Sequence, residues 1–422
     1  MWLALLSLGC PPKRTDTVEE RPIPMARGAA ATPEEVGHPT FALVRAASHY
    51  SGPALGTPDG DDLAWILREA NAAMKGRGQE LDWDDRLVAA ARSLLTLPRL
   101  QGITGSALVF ALQGAGVVEP HGRVFADESD DAPVNSWRPL MLSRILQAIV
   151  SGGYTHMGGA LESNPRGQRR IALVLLKSHL RLSSLPRSPA HESSILLRGT
   201  MSRGFGAARV VVTAPDGSSR APHLVSATDG SFHAVVPLSG GAGRFQVEIL
   251  GSGPDGPEIL ANFPLFVGKA PPDRLLMPRP ASRVLMDAKE AARTLWGLLA
   301  LARKRAGAPP LSWHPELAEV ARAHSFDMCR RQAVHHHSPE SGTAADRVAR
   351  ARLSVTWVGE NVGHAASPDE ADRAMMQSPG HRAMRLGSSA THGGIGVCVL
   401  ARDGGQELYV TELFVRMGAS PR

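Results

Sequence analysis

The sequence predicts an α+β protein built as three folded blocks in series. Three observations predict it. Apolar residues recur at helical spacing through most of 41–185 and again between Asp287 and Met328. Between these stretches, 191–268 breaks into short β-rich runs separated by turn signals. After Thr391 the pattern alternates, ending with Leu408-Tyr409-Val410-Thr411-Glu412-Leu413-Phe414. A chain of 422 residues has room for two or three domains, at roughly 150 residues each. An apolar fraction of 43% supports sizeable cores and argues against wholesale disorder.

The formal charge of +6 is mostly arginine, spread along the chain. No Lys/Arg-rich run carries interleaved aromatics, so no nucleic-acid partner is expected. A mildly basic surface suits anionic envelope polymers or lipid headgroups. The N-terminal run Leu5-Leu6-Ser7-Leu8-Gly9-Cys10 resembles a lipobox, in which the cysteine is lipidated after cleavage. It departs from the usual pattern at Ser7, where Leu is common, and in having no Lys or Arg ahead of the apolar run; the rival reading is an uncleaved apolar tail. Residues 1–10 are therefore read as a lipoprotein-like signal and 11–40, rich in Pro, Ala and charge, as a tether. No later stretch has the ~18 apolar residues of a span. The expectation is an exported cell-envelope protein that meets the membrane through its lipid anchor only.

Within 41–185, Leu63, Ile66, Leu67 and Ala70 share a helical face, as do Leu87, Ala90, Ala91 and Leu94. Ile145–Val150 ends another helix before Gly152-Gly153, and Ile171–Leu176 reads as a buried strand. The block also echoes the C-terminal third. Leu81-Asp82-Trp83, Leu87 and Ala91-Arg92 parallel Leu311-Ser312-Trp313, Leu317 and Ala321-Arg322, and Thr155-His156 parallels Thr391-His392 at almost the same offset. Self-similarity of this kind points to a duplicated unit. The rival reading is an unrelated helical domain.

Residues 191–268 carry Val210–Thr213, Leu224–Ser226, Phe232–Val236, Phe245–Ile249 and Phe263–Val267, punctuated by Pro215-Asp216-Gly217, Asp229-Gly230 and Gly240-Gly241. Strands at this spacing predict a small antiparallel β-sandwich, immunoglobulin-like in architecture. It holds no clustered His, Cys or Asp and is read as a spacer or contact module. Residues 269–283, with Pro271-Pro272 and Pro278-Arg279-Pro280, are read as a linker.

The last block, 284–418, carries the chemistry. In order come Leu311-Ser312-Trp313, Ala323-His324-Ser325-Phe326-Asp327-Met328, His336-His337-Ser338-Pro339, Gly359-Glu360-Asn361, Ser378-Pro379-Gly380-His381-Arg382, Thr391–Val397 and Tyr409–Phe414. Together these resemble the CAP domain (SCP or PR-1-like) in its bacterial form. The resemblance implies an α-β-α sandwich with a cleft lined by two histidines and acidic partners, often seen with a divalent metal. It also makes the echo in 41–185 a degenerate CAP-like copy that has lost the polar cluster.

Carried over by motif, the cleft residues are His336, Glu360 and His381, with His336 and His381 as metal ligands and zinc the first candidate. His335 or His337 takes the place of His336 if the register slips by one. Two imidazoles and a carboxylate leave an open coordination position for water; without a metal, Glu360 would act as a base. Asn361, Ser378 and Arg382 are read as supporting residues, Arg347 and Arg382 as ion-pair partners, and His324 as a core or capping histidine. The family's second acidic residue is not identifiable, and Met375-Met376-Gln377 stands where the family usually has Trp. Cys329 and Cys398 are candidates for one disulfide, with two buried thiols as the alternative. Function is read as binding of a metal ion or of a small apolar, lipid, sterol-like or envelope-polymer ligand. The alternative is a metal-assisted hydrolase, against which stand the missing Gly-x-Ser-x-Gly elbow and the lack of a nucleophile setting for either cysteine.

Overall fold

In a computed structural model of the chain, residues 40–77, 79–100, 103–120, 122–129, 134–163, 168–190, 194–227, 229–254, 256–277, 286–402 and 405–418 are described. The lipobox-like segment with Cys10, and the expected tether apart from Thr40, lie outside these residues. Helices and strands are mixed throughout. No helix among the described residues is long and apolar enough to cross a membrane.

The N-terminal unit runs β1 (Thr40–Ala42), β2 (His49–Tyr50), α1 (Asp61–Met74), β3 (Asp82–Trp83), α2 (Asp85–Leu95), α3 (Gly105–Gly114), β4 (Gly122–Ser129), α4 (Val134–Gly152), β5 (His156–Ser163) and β6 (Arg169–Leu176). The Asp84 carboxylate accepts from Arg86 N and starts α2. The sheet order is β3-β5-β6-β4, with β3 parallel to β5 and the other pairs antiparallel. Strand β6 is covered on both faces. Ala172, Val174 and Leu176 join the core with Leu87, Ala91 and Leu94 of α2, whereas Ile171, Leu173 and Leu175 join Ile66 of α1 and Ile145 of α4. Burial on both sides is why 171–176 is apolar at every position.

The middle block comprises β7 (Leu180–Leu182), β8 (Leu185–Pro186), β9 (Ser194–Met201), β10 (Gly206–Thr213), β11 (Ser219–Arg220), β12 (Leu224–Ser226), β13 (Ser231–Pro237), β14 (Gly243–Gly253), β15 (Gly256–Val267) and β16 (Arg274–Leu276). Two four-stranded sheets, β11-β10-β14-β15 and β12-β13-β9-β7, share one apolar core that includes Val212, Phe245 and Phe263 from the first and Leu197, Phe232 and Val236 from the second.

Two expected boundaries move. Strand β7 pairs with β9, so this block begins inside the stretch assigned to 41–185; an alternation of only three residues is too short to be read. The expected linker 269–283 holds β16, which pairs antiparallel with β1, Leu275 opposite Phe41. Phe41 is 1% exposed, and covering it fastens Arg274–Leu276 to Thr40–Ala42.

The C-terminal unit runs α5 (Ala288–Arg305), β17 (Ser312–Trp313), α6 (Pro315–Arg331), α7 (Ala344–Arg350), β18 (Val355–Ala365), α8 (Pro368–Gln377), α9 (Pro379–Leu386), β19 (His392–Arg402) and β20 (Gly405–Met417). Asp287 caps α5 by accepting from Lys289 N and Glu290 N. The sheet order, β17-β19-β20-β18 with β17 parallel to β19, repeats that of the N-terminal unit. Leu413 and Val415 of β20 pack with Leu317 and Ala321 of α6. Phe414 and Val410 pack on the other face with Leu295 of α5 and Met375 of α8. The repeat extends to backbone detail: Asp84 N donates to Met157 O and His314 N to Gly393 O, both at 2.9 Å. A Cβ on Gly158 would fall 2.6 Å from Leu87 Cβ, and one on Gly394 would fall 2.8 Å from Leu317 Cβ. Both glycines let a helix approach the sheet at the same place.

Candidate functional site

Glu360 lies on β18 opposite Leu413 of β20, on the face covered by α6 and α7. Its carboxylate is buried and held by Arg347 of α7, whose Nη2 bonds Oε1 and, at 2.8 Å, Oε2. A capping box between Thr343 and Asp346 seats α7, so the guanidinium is delivered by a fixed helix start. His336 Nδ1 stands 3.3 Å from Glu360 Oε2, and His324 Nε2 stands 3.8 Å from Oε1. Burial pushes the Glu360 carboxyl up, but the hydrogen bond with His336 and the charge of Arg347 outweigh it and hold the group below its ordinary range. Glu360 is therefore a standing carboxylate rather than a poised base.

Asn361, the next residue, necessarily points to the opposite face. There its Nδ2 donates to Glu412 Oε2 at 3.0 Å and to the His381 carbonyl at 3.2 Å. Arg385 of α9 pairs with Glu412 at 3.3 Å, yet burial dominates and raises the Glu412 carboxyl. Ser378 Oγ accepts from His381 N, starting α9, and donates to Glu248 Oε1 of β14 at 2.7 Å. Gly380 N donates to Glu248 Oε2 at 2.8 Å, and Arg382 Nη1 to the Gly217 carbonyl at 3.2 Å. The middle block thus sits on the Ser-Pro-Gly-His segment.

A second polar group lies at the C-terminal end of α6. Gln332 takes a left-handed conformation, φ 52°, and ends the helix. The chain turns back so that the His335 carbonyl accepts from His324 Nε2 at 2.9 Å. His324, Asp327 and His335 each offer a ligand atom, all within 4.8 Å of one another. Asp327 Oδ1 accepts from Arg330 Nη2 and Arg331 Nε, both at 2.8 Å. Burial raises the Asp327 carboxyl, but these donors outweigh it and hold it at about 2. Burial lowers His335 to about 4, and lowers His324 as well. Cys329 is disulfide-bonded to Cys398, which fastens this end of α6 to β19. A cavity of about 890 Å³ opens between α6 and α7, with Val320, Ala323, Phe326, His324, Asp327 and Arg347 in its wall. His336, Glu360 and His381 do not line it.

Comparison with known families decides what this unit is. Residues 296–414 match the model of the CAP family, described as the cysteine-rich secretory protein family. Residues 296–414 form a CAP domain. The chain is 35% identical over 95 residues to the uncharacterized protein YkwD of Bacillus subtilis, covering 22% of this chain and 37% of that one. It is 33% identical over 96 residues to the uncharacterized membrane protein YlbC of the same organism, covering 22% of this chain and 28% of that one. The chain thus spans about a third of the length of these curated relatives. Among solved structures, it is similar to an extracellular protein containing an SCP domain from Bacillus anthracis, with 23% identity, a TM-score of 0.29, and coverage of 46% of this chain and 67% of that one.

Within the CAP domain, the expected trio is split. His336 meets Glu360, while His381 is tied through its backbone to Asn361 on the other face. His335 does not replace His336; its ring stands beside Asp327, Nε2 3.7 Å from Oδ2. Both oxygens of Glu360 are already bound by Arg347, so the expected set fits a metal poorly. Arg347 is an ion-pair partner, as expected, and its partner is Glu360; sequence reasoning missed Asp327 and the role of His335. One signal was present: His324 and Asp327 lie three apart on one helix and face the same side.

Proposed function

We propose that this chain is an exported envelope protein, anchored through Cys10, whose CAP domain is a binding module for the acyl chain of a lipid. The cavity between α6 and α7 carries this reading. Its volume of about 890 Å³ lies within the roughly 300–1,000 Å³ of ligand pockets. Val320, Ala323, Phe326 and Ala351 supply apolar wall, and Arg330, Arg350 and Glu340 supply charge around it. The ion-paired Glu360 supports binding over hydrolysis, because a carboxylate held by Arg347 is a weak proton acceptor. In this reading the CAP domain is an α-β-α sandwich, the middle block is an immunoglobulin-like sandwich, and the N-terminal unit is a degenerate CAP-like copy. The shared sheet order, the shared parallel pairing and the matching glycines support the last point.

Titrating the full chain with a fluorescent fatty acid tests the reading. Saturable binding that is lost in Ala323→Trp, with the thermal unfolding curve unchanged, is the expected result. Binding that ignores the blocked cavity, or none at all, would overturn it.

A further inference from the structure

We propose that His324, Asp327 and His335 form a divalent-metal site, with zinc as the cation it takes, distinct from the His336–Glu360 pair. The geometry comes first. Two imidazoles and a carboxylate place ligand atoms within 4.8 Å of one another, a spacing that one ion at the usual ~2.0–2.2 Å bond lengths can draw together. Hydrogen-bond accounting is the independent observation. His324 Nδ1, Asp327 Oδ2 and both ring nitrogens of His335 are buried without a hydrogen-bond partner, and His324 is 1% exposed. Buried polar atoms left unpaired are costly, so such a concentration of them marks a missing partner.

The supporting contacts fit the same occupant. A metal-bound histidine commonly donates its other ring N–H to a backbone carbonyl, and His324 Nε2 has such a bond to His335 O. Asp327 is held through Oδ1 by Arg330 and Arg331, which leaves Oδ2 unbonded 3.7 Å from His335 Nε2. The disulfide at Cys329 and the left-handed turn at Gln332 lie between Asp327 and His335 and fix the turn that joins them. Imidazole donors favour zinc and its first-row neighbours over magnesium or calcium.

The full chain, stripped with a chelator, is titrated calorimetrically with zinc, and with cobalt(II) while visible absorption is followed. The chain holds 16 histidines, so the readout is the equivalent lost on substitution. Expected are one equivalent of zinc and a cobalt d–d band that both vanish in His335→Gln and in His324→Leu. The loss in affinity should exceed the roughly 10–100-fold that follows removal of an outer supporting partner. His336→Ala/His381→Ala should leave that equivalent in place, and magnesium should not compete. Denaturant unfolding is recorded for each variant; if His324→Leu does not fold, His335→Gln, whose side chain is 21% exposed, decides the matter. No zinc uptake by the folded chain, or a loss confined to the His336/His381 variant, would overturn the proposal.

Discussion

The N-terminal and C-terminal units solve the same packing problem with different residues. Their sheets share order and register, so positions can be matched through strand pairing. Phe125 opposes Leu173 and Ala126 opposes Ala172 in the first unit, where Asn361 opposes Glu412 and Val362 opposes Thr411 in the second. By the same register Val124 stands where Glu360 does. Counted from the first helical residue, Leu94 of α2 stands where His324 of α6 does. The N-terminal unit fills these places with Leu94, Val124, Phe125, Ala172 and Leu173; the CAP domain fills them with His324, Glu360, Asn361, Thr411 and Glu412. Burying charge is costly even when it is paired. Since the apolar set closes the same sheet, the polar set is not there to make the fold. That difference points to function at these positions.

The largest effect that sharpens this comparison is expected at Arg347. Arg347→Met leaves Glu360 buried without its cation, and the C-terminal unfolding transition should lose about 3–5 kcal/mol in denaturant titration. Arg347→Met/Glu360→Val, which copies Val124, should recover most of it. A double variant no better than the single one would mean that the CAP sheet requires its ion pair, and the comparison would fail.

A smaller effect tests whether the two units are built alike. Gly158→Ala and Gly394→Ala should each destabilise their own unit by about 1–3 kcal/mol, because a Cβ there meets helix atoms closely. A marked inequality, read from the two unfolding transitions, would break the equivalence.

The smallest effect concerns Glu248, where the middle block contacts the CAP domain. Burial raises its carboxyl, and the bonds from Ser378 and Gly380 only partly offset this. The folded chain therefore holds the proton more tightly than the unfolded chain does. Glu248's contribution is fully present below its ordinary value of 4.5 and is lost as pH rises through the raised native value. Glu248→Gln should flatten that decline and change stability by less than about 1 kcal/mol near neutral pH. A steeper profile in the variant would contradict the assignment.

Much of this was legible along the chain. Asp287 marked the start of α5, alternation marked β20, and an unbroken apolar run marked β6, because each is a local consequence of backbone period and capping. The motifs around His336 and Glu360 were also legible, and the structure does set these two residues side by side. Strand β16 was not, since its pairing with β1 depends on a partner more than 200 residues away. Nor was the division between Glu360 and Asn361, although strand alternation implies it once β18 is known to lie between two helical layers. Asp327 escaped notice because a three-residue spacing from His324 is commonplace on a helix and gains meaning only when a returning loop brings His335 to it.

The sequence by itself determined the kinds of elements, their order, and the presence of a CAP-like polar set in the last third. Those follow from periodicity, capping and motif, all of which act over a few residues. Only the tertiary structure decided which buried charge has which partner. It gave Glu360 to Arg347 and His336, Glu412 to Arg385 and Asn361, and Glu248 to the start of α9. It also left the histidine pair beside Asp327 with atoms unmatched. The reason is physical: the cost of burying a polar atom depends on what stands within about 3 Å of it, and that is set by the packing of distant segments.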